Sequence, residues 1–198
     1  MALKSTERHL NPLKVLYKVD ETMPEDAVIV ADGGDFVGSA AYILRPRGPL
    51  QWLDPGAFGT LGVGGGFAIG AKVCCPDRSV WIVYGDGSLG YSLIEYDTYV
   101  RHKLPIVSIV GNDACWMQIA REQLPMFGST IGCDLVYARY EQSAEGLGAQ
   151  GILLDRESED QISDRLMEAK DLSLVEKKPV LVNVLIGKTA FREGSISV

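Results

Sequence analysis

Two features of the sequence predict an α/β fold, a parallel sheet with helices on both faces. Short β-branched runs alternate with longer amphipathic stretches, the pattern of parallel strands joined by helical crossovers. The strand runs are apolar almost throughout, as strands covered on both faces should be. At 198 residues, 46% of them hydrophobic, the chain has enough material for one domain with a sizeable core, and a second domain is not expected.

Residues 1–11 read as a lead-in or linker, 12–198 as the domain, and Pro12 to Glu21 as its first helix. Ala27 to Ala31 is the first strand. The loop Asp32-Gly33-Gly34-Asp35-Phe36 follows it, with Asp35 a candidate cap for a helix beyond. Arg45 to Gly59 reads as loop, because Arg45-Pro46-Arg47-Gly48-Pro49 and Asp54-Pro55-Gly56 are turn-forming runs. Gly64 to Val73 and Leu89 to His102 read as helices on either side of a second strand, Val80 to Tyr84. Ile106 to Val110 is a third strand, Tyr140 to Leu147 a helix, Gly151 to Leu154 a fourth strand and Val180 to Leu185 a fifth. Asp160 to Leu174 is the clearest helix, with Ile162, Leu166 and Ala169 on one stripe and charges opposite.

Composition excludes several function classes. Nineteen basic against 26 acidic residues give a net charge of −7, and no basic run occurs, so a nucleic-acid backbone would be repelled. The apolar runs fall well short of the ~20 residues that span a bilayer. The first eight residues do not lead into a signal-peptide core, so the chain reads as soluble. Cys74, Cys75, Cys115 and Cys133 form no C-x-x-C pair and read as thiols in a reducing compartment, Cys115 and Cys133 as packing groups. His9 and His102 are isolated, which leaves zinc without support. Glu141 to Glu145 reads as solvated surface charge.

In open α/β sheets ligands bind at the carboxyl ends of the strands. Three acidic, glycine-bearing loops fall there: Asp32 to Phe36, Gly85-Asp86-Gly87-Ser88 and Gly111-Asn112-Asp113. Each alone could be a tight turn with Asp86 or Ser88 capping the next helix. Together they bring Asp86 and Asp113 to the ends of consecutive strands, and if those strands are neighbours the carboxylates converge. Gly85 to Gly90 also matches the dinucleotide pattern G-x-G-x-x-G. An aspartate inside that turn, however, would face a pyrophosphate with like charge unless a cation lay between them. Metal-bridged diphosphate is the better expectation. Mg²⁺ suits it, taking few carboxylates and filling its shell with phosphate oxygens and water. Asp86, Asp113 and a backbone carbonyl of the turn after Asp113 would be the protein's share, and the helix near Leu89 would add amide donors.

These residues resemble the thiamine diphosphate enzymes related to acetolactate synthase, oxalyl-CoA decarboxylase and the 2-hydroxyacyl-CoA lyases. Their signature runs from G-D-G-S to N-N, here from Gly85-Asp86-Gly87-Ser88 to Asn112-Asp113, with Glu95 and Leu104-Pro105 at matching positions between. Gly59 to Ala71 is similar to the family's second glycine-rich segment. Leu10-Asn11-Pro12, Asp32 to Gly38, Arg47-Gly48-Pro49, Trp52 to Gly59, Val110 to Ala114 and Phe191 to Ile196 resemble the acetolactate-synthase-like, 2-hydroxyacyl-CoA lyase branch. The resemblance covers Leu10 to Val198.

The resemblance implies a diphosphate-binding domain that holds thiamine diphosphate and Mg²⁺. Asp86 and the second residue of the terminal pair, Asp113, would ligate the metal with the carbonyl of Cys115, register alone choosing between Asn112 and Asp113. Gly85, Gly87 and Ser88 would bind diphosphate. Gly59 would accept from the aminopyrimidine through its carbonyl, Thr60 would lie beside it, and Leu61 would donate its amide while its side chain wedges the cofactor into its bent shape. Asp35-Phe36 stand where acetolactate synthases have Gln-His near the diphosphate, and Asp113 stands where Asn is usual. The family's catalytic glutamate belongs to a separate pyrimidine-binding domain. None is expected in these 198 residues, so the chain alone is not expected to catalyse. The implied whole is a homodimer or tetramer on the cytosolic face of the endoplasmic reticulum. It would cleave a 2-hydroxyacyl-CoA to formyl-CoA and an aldehyde, or join 2-keto acids as an acetolactate synthase does. A non-catalytic cofactor-binding or assembly module is the alternative of another class. Trp116, Met117 and Ile119 could line a substrate channel or belong to the core.

Overall fold

The computed structural model describes residues 4–189 and 191–192; Met1 to Leu3 and, in the segment resembling the family's tail, residues 193–196 lie outside the described residues. Its centre is one sheet of six parallel strands. They are β1 (Val28–Asp32), β2 (Trp52–Leu53), β3 (Val80–Gly85), β4 (Ile106–Asn112), β5 (Gln150–Leu154) and β6 (Val180–Leu185), in the order β2-β1-β3-β4-β6-β5. The expected α/β fold is therefore present.

Alternation along the strands splits the apolar residues between two cores. Ile29, Ala31, Trp81, Val83, Val107 and Ile109 face one side, where α1 (Pro12–Thr22), α2 (Asp35–Ile43) and α8 (Ile162–Leu174) cover them. Val28, Val30, Val80, Ile82 and Tyr84 face the other, under α3 (Gly64–Cys74), α4 (Asp86–Ser92), α5 (Glu95–Arg101) and α7 (Tyr140–Gly146). A strand whose successive side chains all meet apolar partners has no polar phase, which is why these runs looked uniformly hydrophobic. A third, small cluster holds Cys115, Ala120 and Cys133 beneath α6 (Met117–Phe127), so both thiols are packed as expected.

Several elements differ from the sequence expectation. Leu89 to His102 is two helices: α4 begins at Asp86, and the chain turns at Leu93–Ile94, where Tyr96 and Asp97 donate to the carbonyls three residues back. The turn lets Tyr96 and Tyr99 enter the core with their rings 5.1 Å apart. The presumed loop at Arg45 to Gly59 contains the short edge strand β2 and a 3₁₀ turn at Gly56–Phe58. α6 was not anticipated, and α2 only as a helix beyond Asp35. The charge at Glu141 is also not surface charge: its side chain is buried and hydrogen-bonded to Asn183.

The lead-in is woven into the domain. Asn11 caps α1 by accepting from the amides of Leu13 (2.9 Å) and Lys14 (3.3 Å). Leu10 is wholly buried, donates to Leu185 at 3.0 Å and accepts from Gly187 at 2.8 Å, extending the sheet by one bridge. Among the described residues, no helix is long and apolar enough to cross a membrane.

The strand order places a crevice. β2 lies to one side of β1 and β3 to the other, so the loops leaving β1 and β3 diverge at their carboxyl ends, the usual ligand position in such sheets. If residues 4–11 belong to the folding unit, Leu10→Ala should cost about 2–5 kcal/mol, as a buried Leu truncation does. Urea denaturation measures it, and a loss below about 0.5 kcal/mol would mean that the segment contributes nothing to the core.

Candidate functional site

The site begins where β1 meets β3. Gly33 has φ 152°, and a Cβ there would lie 2.6 Å from the Gly85 backbone nitrogen, so the two loops touch through bare backbone. Asp32, the fully buried last residue of β1, accepts from the amides of Gly62 (3.0 Å) and Gly64 (2.7 Å). Its carboxylate thereby ties the second glycine-rich segment and the start of α3 to the strand end. Burial pushes its pKa up, and the two amide bonds oppose that shift. Ser88 completes the junction: its hydroxyl donates to the Asp32 carbonyl at 2.5 Å and to the Gly85 carbonyl at 3.0 Å.

β3 and β4 are adjacent and parallel with Gly85 opposite Gly111, so Asp86 and Asp113 leave neighbouring strands one residue out of step, and both line the same cleft. Both are buried. Asp86 accepts from its neighbour Gly87 at 2.8 Å and from the Cys115 amide at 3.3 Å. Desolvation raises its pKa to about 6 against those bonds. Asp113 rises to about 7 through desolvation and then through the charges of Asp86 and Asp35. The turn between β4 and α6 holds Ala114 at φ 55°, an uncommon conformation for a residue with a Cβ. That conformation turns the Ala114 carbonyl to the Leu135 amide (2.8 Å) and the Cys115 amide toward Asp86.

A cleft of about 620 Å³ opens over this pair, within the range of small-molecule sites. Gly59, Leu61, Gly85, Asp86, Gly87, Ser88, Asp113, Cys115, Asp35 and Phe36 all line it. Thr60 is exposed and is not part of the lining, and the hydroxyl of Ser88 is engaged with the β1 and β3 carbonyls. Asn112 points elsewhere: its amide nitrogen donates to the Ala138 carbonyl and to Asn183. Asp35 opens α2 rather than capping it, and its carboxylate pairs with Arg121 of α6 at 2.6 Å. Phe36 is buried and fills the space that a side chain at Gly111 would need. Trp116, Met117 and Ile119 line the cleft, and Trp116 and Met117 also pack on the small cluster beneath α6. The Trp116 ring occupies the place where a Cβ on Gly87 would stand.

Asp32, Arg121 and Arg192 were not singled out from sequence. Asp32 was visible as a strand-ending acid, but its partners lie 30 and 32 residues away. Arg121 and Arg192 reach the site only through tertiary packing, Arg121 also donating to the Arg192 carbonyl at 3.2 Å. Among the described residues, no group of three or more His, Cys, Asp or Glu side chains could enclose an ion. Two carboxylates with backbone around them suit a hard cation that draws further oxygens from a phosphate ligand.

The raised pKa values carry a sign. Both acids are held more protonated when folded, so their contribution to stability is complete below 3.8 and is lost as pH rises through about 6 and about 7. In metal-free buffer, thermal melts across that interval should show the parent losing stability relative to the double variant Asp86→Asn, Asp113→Asn. Parallel pH profiles for the two proteins would contradict the buried pair.

Residues 32–184 match the family model described as thiamine pyrophosphate enzyme, C-terminal TPP binding domain. The chain is 65% identical over 195 residues to 2-hydroxyacyl-CoA lyase 2 of Danio rerio, covering 98% of this chain and 31% of that protein. Against 2-hydroxyacyl-CoA lyase 2 of Homo sapiens it is 59% identical over 191 residues, 96% of this chain and 30% of the relative. A probable acetolactate synthase of Mycobacterium bovis is 34% identical over 177 residues, 89% of this chain and 31% of the relative. The chain thus spans about a third of the length of the curated relatives it matches. With the strand-end acids, the glycine turns and the cleft at the sheet's switch point in one domain, the chain belongs to the thiamine pyrophosphate enzymes and carries their C-terminal cofactor-binding domain.

Proposed function

We propose that Asp86 and Asp113 hold Mg²⁺ through their side chains and Cys115 through its backbone carbonyl, and that the cleft receives thiamine diphosphate. The carrying observation is the pair of buried carboxylates at the ends of neighbouring strands, both raised by desolvation and Asp113 also by the charge of Asp86. A dication between them removes their repulsion and gives a diphosphate positive charge to meet. Asn112 is left out of the ligand set because it is wholly buried outside the cleft lining and its oxygen, the atom that could meet a metal, already accepts from the Ala114 amide at 3.3 Å. Gly85 and Gly87 let the backbone approach the phosphates, Ser88 holds that turn in shape, and Gly59 and Leu61, which also line the cleft, face the cofactor.

When bound, the cofactor supplies an electron sink that allows a carbon–carbon bond next to a carbonyl to break or form. This chain's part is to fix the diphosphate and metal, exclude water beneath the cofactor and present the Leu61 side chain as a wedge. The whole protein acts as a 2-hydroxyacyl-CoA lyase, releasing formyl-CoA and a shortened aldehyde. Higher identity to the lyases than to the acetolactate synthase supports this over carboligation. A pyrimidine-binding domain of a second subunit supplies the catalytic glutamate and covers the cleft. The exposed apolar Ile119, Leu124, Met126 and Phe127 on α6 support such a cover. Product analysis of the full-length protein given a 2-hydroxyacyl-CoA or pyruvate tests the reaction: formyl-CoA is expected, and acetolactate alone would overturn the lyase reading.

Asp113 in place of the family's usual asparagine adds a negative charge beside the diphosphate. Titration calorimetry should therefore find thiamine diphosphate binding weakened at least about tenfold without Mg²⁺, the equivalent of one pKa unit of repulsion. Asp113→Asn should narrow that gap. Equal binding by the parent with and without Mg²⁺ would overturn the assignment.

A further inference from the structure

We infer that a buried polar chain, Arg139–Glu141–Asn183–Asn112, sets the turn that presents Asp113 and Cys115, making Asn183 and Glu141 positioning residues for the metal. The inference rests on the metal site proposed above.

Glu141 on α7 is buried, and Asn183 of β6 and Asn112 of β4 are wholly so. Arg139, on the surface, donates through Nε to one oxygen of Glu141; Asn183 donates through Nδ2 to the other at 2.7 Å. A carboxylate only accepts, so Glu141 dictates which way the Asn183 amide faces. Its Oδ1 is then left to accept from Asn112 Nδ2, at 3.2 Å. The two amide nitrogens also share the Ala138 carbonyl, at 2.9 Å from Asn183 and 3.1 Å from Asn112. With its nitrogen committed, Asn112 can offer only Oδ1 to the turn, and the Ala114 amide donates to it at 3.3 Å.

The polarity set at Glu141 thus reaches Ala114, the left-handed residue between Asp113 and Cys115. A residue with a Cβ keeps that conformation only where its surroundings over-determine it. Here the Ala114 amide is held by Asn112, its carbonyl by Leu135, and the next amide by Asp86. Reversing the amides would set a donor on Asn112 against the donor of Ala114. Replacing Asn183 by an apolar residue leaves both Asn112 and Glu141 with an unmet partner. In either case the turn is freed to relax, and the ligands move from the geometry that Mg²⁺ requires.

Partners that orient ligands typically change metal affinity by about 10–100-fold when removed. The test uses Mn²⁺ as probe, titrated into the full chain with thiamine diphosphate and followed by EPR of free Mn²⁺, with the melting temperature measured separately. Asn183→Leu should weaken Mn²⁺ at least about tenfold at temperatures where circular dichroism shows it folded. Glu141→Gln keeps an oxygen for Asn183 and releases Arg139 to solvent, so it should bind within about threefold of the parent. Should Asn183→Leu fail to fold, Glu141→Leu, which removes the acceptor that orients the Asn183 amide, carries the same expectation. A Leu variant that melts earlier yet binds Mn²⁺ as the parent does assigns these residues to stability alone and overturns the inference, leaving the metal site standing. A parent that does not bind Mn²⁺ overturns both.

Discussion

Everything at the working edge of this domain follows from two like charges buried side by side. Asp86 and Asp113 leave adjacent parallel strands one residue out of step, and the sheet gives them no route apart. Without a cation their pKa values stand at about 6 and about 7 instead of 3.8, a destabilisation on the order of a few kcal/mol at neutral pH. Such a pair persists in a folded protein when something bound offsets it.

The rest of the fold keeps that pair in place at the edge of the cleft. The reversal of strand order at β1 opens the crevice, and the backbone contact of Gly33 with Gly85 brings the two loops together. Asp32 gathers the amides of Gly62 and Gly64, so the second glycine-rich segment is anchored to the strand beside the one bearing Asp86. On the far side Arg121 pairs with Asp35, which limits the negative charge that Asp35 lends to the cleft. Among the acids lining the cleft, the two at the ends of β3 and β4 are the buried ones that form no salt bridge among the described residues, whereas Asp54 lies exposed.

The strands were legible because burial on both faces makes each one an apolar run, as in Val80 to Tyr84. The convergence of Asp86 and Asp113 was legible because their loops share one sheet edge. What could not be read was non-local. Glu141 sits in a polar run, Glu141-Gln142-Ser143, and its burial depends on Asn183, 42 residues away. α2 packs on the sheet beside α1, buries Phe36, Val37, Ser39, Ala40 and Ile43 and exposes Ala41 and Tyr42, so it shows no charged face to mark it. α6 contains Pro125, ordinarily a helix breaker, and exposes Ile119, Leu124, Met126 and Phe127, so its pattern contradicts its environment. The bend at Leu93–Ile94 carries neither glycine nor proline. The orientation of Asn112 likewise needed coordinates, because its partners Ala138 and Asn183 are distant in sequence.

The central claim is that the strand-end acids are a metal site and not a structural accident. Crystals grown with thiamine diphosphate and Mn²⁺, measured near the manganese absorption edge, test it directly. The account predicts one anomalous peak between the carboxylates of Asp86 and Asp113, within coordination distance of the Cys115 carbonyl. A cofactor bound in the cleft with no peak there, or with the metal on Asn112 instead, would contradict it.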